Sequence, residues 1–91
     1  MERKKIFSER LGLLLDRNGT YAKDLAQHLK LHKSSVSLYL AGKSFPTVDN
    51  LLEIADFFNV SVDYLVGRTT DQKSHLQFRY PQLDEGKERT E

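Results

Sequence analysis

The stretch Ala22-Lys23-Asp24-Leu25-Ala26-Gln27-His28-Leu29-Lys30-Leu31-His32-Lys33-Ser34-Ser35-Val36-Ser37-Leu38-Tyr39 decides the fold of this chain, because its apolar residues keep helical spacing on both sides of a break. Leu25, Ala26 and Leu29 share one face of a first short helix, and Val36, Tyr39 and Leu40 share one face of a second. These faces meet only if a tight turn around Lys30–His32 separates the two helices. Ala26 sits where small size matters, since two helices that cross steeply over so short a turn leave room for little more than a methyl group.

Working outward, the spacing predicts a helix from about Lys5 to Arg17, with Phe7, Leu11 and Leu14 as an inward stripe that Leu13 and Leu15 widen, and Asn18-Gly19 as its stop. Beyond the central pair, Ala41-Gly42 ends the third helix and Ser44-Phe45-Pro46-Thr47 forms a loop. Thr47 caps a fourth helix whose Val48, Leu51, Leu52, Ala55 and Phe58 recur at helical spacing, ending at Asn59-Val60. Ser61 caps a short fifth helix over Val62–Val66, closed by Gly67, with Val62 and Leu65 pointing inward. After Arg68 the pattern changes. Residues 69–74 are polar and without period, His75-Leu76-Gln77-Phe78-Arg79-Tyr80 alternates as an extended strand does until Pro81, and residues 84–91 are nearly all polar and expected to be disordered. The expected architecture is all-α: a compact five-helix bundle over residues 1–68, followed by a linker and short extended tail over residues 69–91 with a candidate oligomerisation strand at 75–80.

A chain of 91 residues supports one small domain with no room for a large enclosed active site. Its 38% hydrophobic and 30% charged residues suit a globular helical domain. No apolar run approaches the roughly 20 residues that span a bilayer, and the basic start Met1-Glu2-Arg3-Lys4-Lys5 has no apolar core behind it of the kind a signal peptide carries. With no cysteine, neither disulfides nor thiolate metal sites form, and the expected location is cytoplasmic, with no membrane partner. His28, His32 and His75 show no ligand spacing, there is no glycine-rich phosphate loop and no nucleophile–histidine–acid arrangement, so no metal, no cofactor and no enzymatic activity are expected. Net charge is +1, but it is unevenly spread. Between Ala22 and Phe45, Lys23, Lys30, Lys33 and Lys43 face only Asp24, whereas between Thr47 and Tyr64 lie Asp49, Glu53, Asp56 and Asp63 with no lysine or arginine. Such a chain offers its basic end to a polyanion and holds its acidic end away.

In order and spacing, Asp24-Leu25-Ala26, Leu29-x-Leu31, Ser34-Ser35-Val36-Ser37-x-Tyr39, Gly42-Lys43-x-x-Pro46, Leu51-Leu52-x-Ile54-Ala55 and Asn59-Val60-Ser61-Val62-Asp63-Tyr64-Leu65 form one pattern. With it, the sequence resembles the phage Cro/CI repressor type of helix-turn-helix protein, the XRE family, from about Arg10 to Gly67. The resemblance implies a five-helix bundle whose third helix enters the major groove of double-stranded DNA, usually as a homodimer on a two-fold symmetric site. This chain departs from the family pattern in four places. Ala22 stands where glutamine often contacts phosphate, Lys30 where the turn usually has glycine, and His32 where serine or threonine commonly caps the third helix. Leu15 and Leu40 together replace an arginine–glutamate pair that family members often hold between the first and third helices. Replacing both ends of a buried ion pair by hydrophobes strands no charge, so Leu15 and Leu40 are expected to touch.

With Val36 and Tyr39 facing inward, a helical wheel leaves Ser34, Ser37, Leu38 and Ala41 outward and Lys33 at the leading edge. Lys33, Ser34, Ser37 and Leu38 are the candidate base-contacting residues: lysine donates to guanine O6 and N7, serine to several base edges, and leucine packs on a thymine methyl. Candidate phosphate contacts are Ala22 and Lys23 at the second helix's N-terminus and Gly42, Lys43 and Ser44 in the following loop, with Arg10 and Tyr21 as further candidates. The bland alternative is that the serines are helix caps and Leu38 an ordinary exposed leucine. The functional expectation is a sequence-specific transcriptional repressor; the rival is an antitoxin or other interaction module whose tail, through residues 75–80, binds a protein partner.

Overall fold

The computed structural model describes residues 3–72, and the predicted tail strand at 75–80 and the terminal segment lie outside the described residues. Five helices follow one another: α1 Arg3–Asn18, α2 Ala22–Leu29, α3 Lys33–Leu40, α4 Val48–Phe58 and α5 Val62–Leu65. The first starts two residues earlier than expected, and the fifth is one residue shorter, with Val66 as its cap.

Each helix stops in the same way. A residue one or two positions past its end is left-handed, and that residue and its successor return their N–H groups to carbonyls of the last turn. Gly19, Gly42, Asn59 and Gly67 serve α1, α3, α4 and α5 in this role, residue types for which positive φ is cheap. Lys30 does it for α2 at φ 59°, with the Leu31 N–H reaching Ala26 O at 2.9 Å. A lysine side chain therefore carries the left-handed strain, about 1 kcal/mol, at the turn where the resemblance implied glycine. The helix starts are equally specified by sequence: Thr47 Oγ1 accepts from Asn50 N–H at 3.2 Å and Ser61 Oγ from Tyr64 N–H at 3.0 Å.

Phe7, Leu11, Leu14 and Leu15 of α1 pack with Leu25, Ala26 and Leu29 of α2, Val36 and Tyr39 of α3, Leu51, Ile54 and Ala55 of α4, and Val60, Tyr64, Leu65 and Val66 around α5. The periodic stripes thus found the core, with three corrections. Leu13, assigned to the inward stripe, is 45% exposed; it follows Gly12 on the flank of α1 rather than the Phe7–Leu11–Leu14 line. On α4 the predicted stripe is rotated: Ile54 is fully buried, whereas Val48 and Leu52 are 73% and 50% exposed. A wheel through Leu51, Ile54, Ala55 and the half-buried Phe58 fits one narrow face, which an i, i+3, i+4 reading begun at Val48 misses by about one residue. Val62 is half-buried at the core's edge, and Tyr64 joins Leu65 inside. The loop after α3 is not merely a connector: Pro46 is buried, and Phe45 sets its ring edge-on to Phe7 at 5.3 Å, on a ring that also meets Tyr39 at 5.8 Å.

The chain beyond α5 turns back onto the bundle. Ser61 N–H donates to Gln72 O at 3.1 Å, and Gln72 Nε2 to the Tyr64 hydroxyl at 3.3 Å. Arg10 of α1 donates to the carbonyls of Tyr64 and Thr69 while its guanidinium lies 4.4 Å from the Tyr64 ring centre, and Arg3 donates to Val66 O at 3.1 Å. The part of the expected linker from Thr69 to Gln72 is therefore fastened to the helical unit.

Candidate nucleic-acid interface

The turn between α2 and α3 holds the candidate reading surface in place. Leu25 and Val36 are fully buried and Ala26 is 2% exposed, so the small residue that the sequence reading placed between the two helices lies in the core. At the start of α3, His32 Nδ1 accepts from Ser34 N–H at 3.2 Å and lies 2.9 Å from Ser34 Oγ. Histidine thus performs the cap that serine or threonine performs in the resembling proteins, using a ring nitrogen as acceptor. The same contact engages the Ser34 hydroxyl locally, which combines the cap reading of this serine with its outward placement.

Lys33, Ser34, Ser37 and Leu38 are not part of the core and line one side of α3, with Leu38 at 45% exposure and Ala41 continuing the surface. This face is polar but small, with a single apolar projection and no carboxylate. Val36 and Tyr39 on the opposite side are locked into the core, so the outward side chains stand on a rigid helix.

Around this face the candidate phosphate contacts divide into two groups. At the start of α2, the N–H groups of Asp24 and Leu25 donate to Tyr21 O at 3.0 and 3.2 Å, and the Asp24 carboxylate takes the Tyr21 N–H at 3.2 Å. The N–H groups of Ala22 and Lys23 have no acceptor among the described residues. They form the donor pair that a helix N-terminus offers to an anion, with the Lys23 side chain exposed beside them. In the loop after α3, by contrast, the Gly42 N–H donates to Tyr39 O at 3.1 Å and the Lys43 N–H to Leu38 O at 3.0 Å. Those two amides close the helix. The exposed Lys43 ammonium and the Ser44 segment remain for an anion. Arg10 belongs elsewhere: its guanidinium is spent on the Tyr64 and Thr69 carbonyls and the Tyr64 ring, which corrects its candidacy as a phosphate contact. The sequence signal for this role was present, since Arg10 falls three residues after Phe7 and four before Leu14, at the edge of the inward stripe of α1.

Between α1, α2 and α3 lies an open hollow of about 500 Å³ whose lining includes Gly12, Leu15, Asp16, Tyr21, Ala22 and Leu40. Leu15 is buried and Leu40 half-buried, so both members of the expected apolar pair are turned to this shared wall and neither is left in solvent. On the other side of α2, His28 Nε2 stands 3.3 Å from Glu53 of α4 and its ring 4.8 Å from that of Phe57, a surface contact that joins the reading unit to the acidic helix. Among the described residues no group of three or more histidines and carboxylates is placed to hold a metal ion, and no helix is long and apolar enough to cross a membrane.

Residues 13–65 match the family model described as helix-turn-helix. The chain is 37% identical over 65 residues to the cryptic phage CTXphi transcriptional repressor RstR of Vibrio cholerae, covering 67% of this chain and 58% of that protein. It is 33% identical over 66 residues to the uncharacterized HTH-type transcriptional regulator YobD of Bacillus subtilis, covering 72% of this chain and 59% of the relative. The chain thus spans somewhat under two thirds of the length of these curated relatives. A crystal structure of a transcriptional regulator from Listeria innocua superposes with a TM-score of 0.66 at 27% identity, covering 80% of this chain and 68% of that one. Helix order, the turn carried by Ala26 and Lys30, and a family match over more than half of the sequence agree: the chain belongs to the Cro/CI-type helix-turn-helix family of transcription regulators, which are not enzymes.

Proposed function

We propose that this protein is a sequence-specific transcriptional repressor that binds a two-fold symmetric operator as a homodimer, with α3 in the major groove. The observation that carries this reading is the outward, carboxylate-free face of α3, Lys33, Ser34, Ser37 and Leu38, backed by the fully buried Val36. A face of small side chains sits deep in a groove, and a rigid backing fixes which base edges it meets. Ala22 and Lys23 hold one phosphate through backbone N–H groups, and Lys43, with Gly42 and Ser44 beside it, holds another; these contacts set register without reading sequence. Residues 1–68 form the DNA-binding unit, to which residues 69–72 are fastened, and residues 75–80 are the candidate oligomerisation strand. Similarity to a phage repressor supports repression as the regulatory sense. Action on DNA fits a cytoplasmic location.

Selection of bound duplexes from a random pool at physiological salt tests the reading. The expected result is an enriched inverted repeat with half-sites about one helical turn apart. Uniformly weak binding without enrichment, lost steeply as salt rises, would overturn it.

A further inference from the structure

Three of the four glycines among the described residues are demanded by the backbone: Gly19, Gly42 and Gly67 have φ of 61°, 73° and 86°, and a Cβ on Gly67 would also fall 2.8 Å from Ile6 Cγ2. Gly12 has neither reason. It lies in the middle of α1 without a left-handed backbone, and an added Cβ would meet only Leu40 Cδ2 at 3.9 Å, an ordinary contact. A glycine inside a helix weakens it relative to alanine, and the packing around Gly12 returns nothing for that loss. What the missing side chain leaves is room in the hollow that Gly12 shares with Leu15, Leu40, Tyr21 and Ala22.

We propose that this hollow is a cradle for a deoxyribose of the DNA strand whose phosphate is held at the start of α2, with Gly12, Leu15 and Leu40 as its contact surface. The proposal rests on the DNA-binding reading given above and adds a contact to it. Ala22, whose N–H has no acceptor among the described residues, lines the hollow, so a phosphate held there brings its adjoining sugar over Gly12 and Leu40. The sugar is the least polar part of the strand, and Leu15 and Leu40 offer it an apolar wall. Asp16 also lines the hollow, so no second phosphate is drawn into it beside the one at the start of α2. This stretch of backbone is therefore met by shape and not by charge.

The test uses the full chain with Gly12→Ala and Gly12→Leu, thermal unfolding, and anisotropy of an operator duplex and an unrelated duplex over a salt series. Gly12→Leu should weaken binding to both duplexes about tenfold, the scale of removing some 50 Å² of apolar contact, with no change in salt slope because no counterion release is lost. Gly12→Ala should raise the melting temperature and weaken binding to both duplexes by a smaller factor. If both variants bind as the natural chain does while Lys43→Ala loses affinity and salt slope, the cradle is wrong and the DNA reading stands. If Gly12→Leu weakens binding and lowers the salt slope as well, the hollow holds a phosphate in place of a sugar and the proposal is overturned. If the natural chain binds neither duplex, the DNA reading fails first and takes the cradle with it. Should Gly12→Leu not fold, Gly12→Ala decides alone.

Discussion

The two sides of α1 serve opposite needs. Towards α5 and the chain that follows it, Arg3 and Arg10 spend their guanidinium groups on the carbonyls of Tyr64, Val66 and Thr69, and Gln72 and Ser61 close further donors and acceptors. Towards α2 and α3, the N–H groups of Ala22 and Lys23 have no acceptor among the described residues, Gly12 leaves a hollow, and Lys33, Ser37 and Leu38 stand in solvent. The first region satisfies its polar groups internally and contributes stability. The second leaves them unsatisfied until a ligand arrives, which is how a surface of 8-residue helices can both fold and recognise. Substitutions in the two regions should therefore separate stability from binding.

The largest effect is expected at Arg10. Arg10→Ala removes two hydrogen bonds to partly buried carbonyls and a cation–π contact, and should lower stability by about 2–3 kcal/mol, read as a downward shift of the chemical-denaturation midpoint. Below the transition, DNA affinity should be nearly unchanged. An equal loss of affinity with no loss of stability would collapse the distinction between the two regions. Next is Ala26→Leu, where the closely packed α2–α3 crossing must absorb three further carbon atoms; overpacking of about 1–3 kcal/mol should appear with a loss of binding, because the angle of α3 depends on this contact. This substitution is the one expected to harm both properties.

Lys30→Gly sharpens the contrast from the other direction. Relieving the left-handed lysine should raise stability by up to about 1 kcal/mol, with the melting temperature as readout and binding altered only through the lost charge. Smallest in stability and clearest in binding is Lys43→Ala. This lysine side chain supports no core packing, so unfolding should not change, while affinity for every duplex falls and the slope of log K against log salt drops by about one. An unchanged slope would remove Lys43 from the phosphate contacts.

The helix pair was legible in the sequence because the same few residues carry both its local and its tertiary signals: Leu25, Ala26, Leu29, Val36 and Tyr39 are periodic and buried. The caps at Thr47 and Ser61 were legible for a similar reason, since a cap is a contact between residues three apart. The α4 face was not, because Val48 and Leu52 are as apolar as Leu51 and Ile54, and only the neighbouring helices select which of two overlapping stripes turns inward. Within the candidate site, the outward placement of Lys33, Ser34, Ser37 and Leu38 followed from the wheel. The internal use of the Gly42 and Lys43 amides did not, because it depends on how the last turn of α3 closes.

Local spacing was enough for the number and order of the helices, for the stops at Gly19, Gly42, Asn59 and Gly67, for the caps at Thr47 and Ser61, and for the outward face of α3, since all of these arise between residues a few positions apart. Closure of the bundle was needed for Arg10 to fasten α1 to Tyr64 and Thr69, for Gln72 to return to Ser61, and for Gly12, Leu15, Ala22 and Leu40 to line one open hollow. Those contacts join residues distant in the chain, and no local periodicity encodes which side chain will find which carbonyl once the bundle has closed.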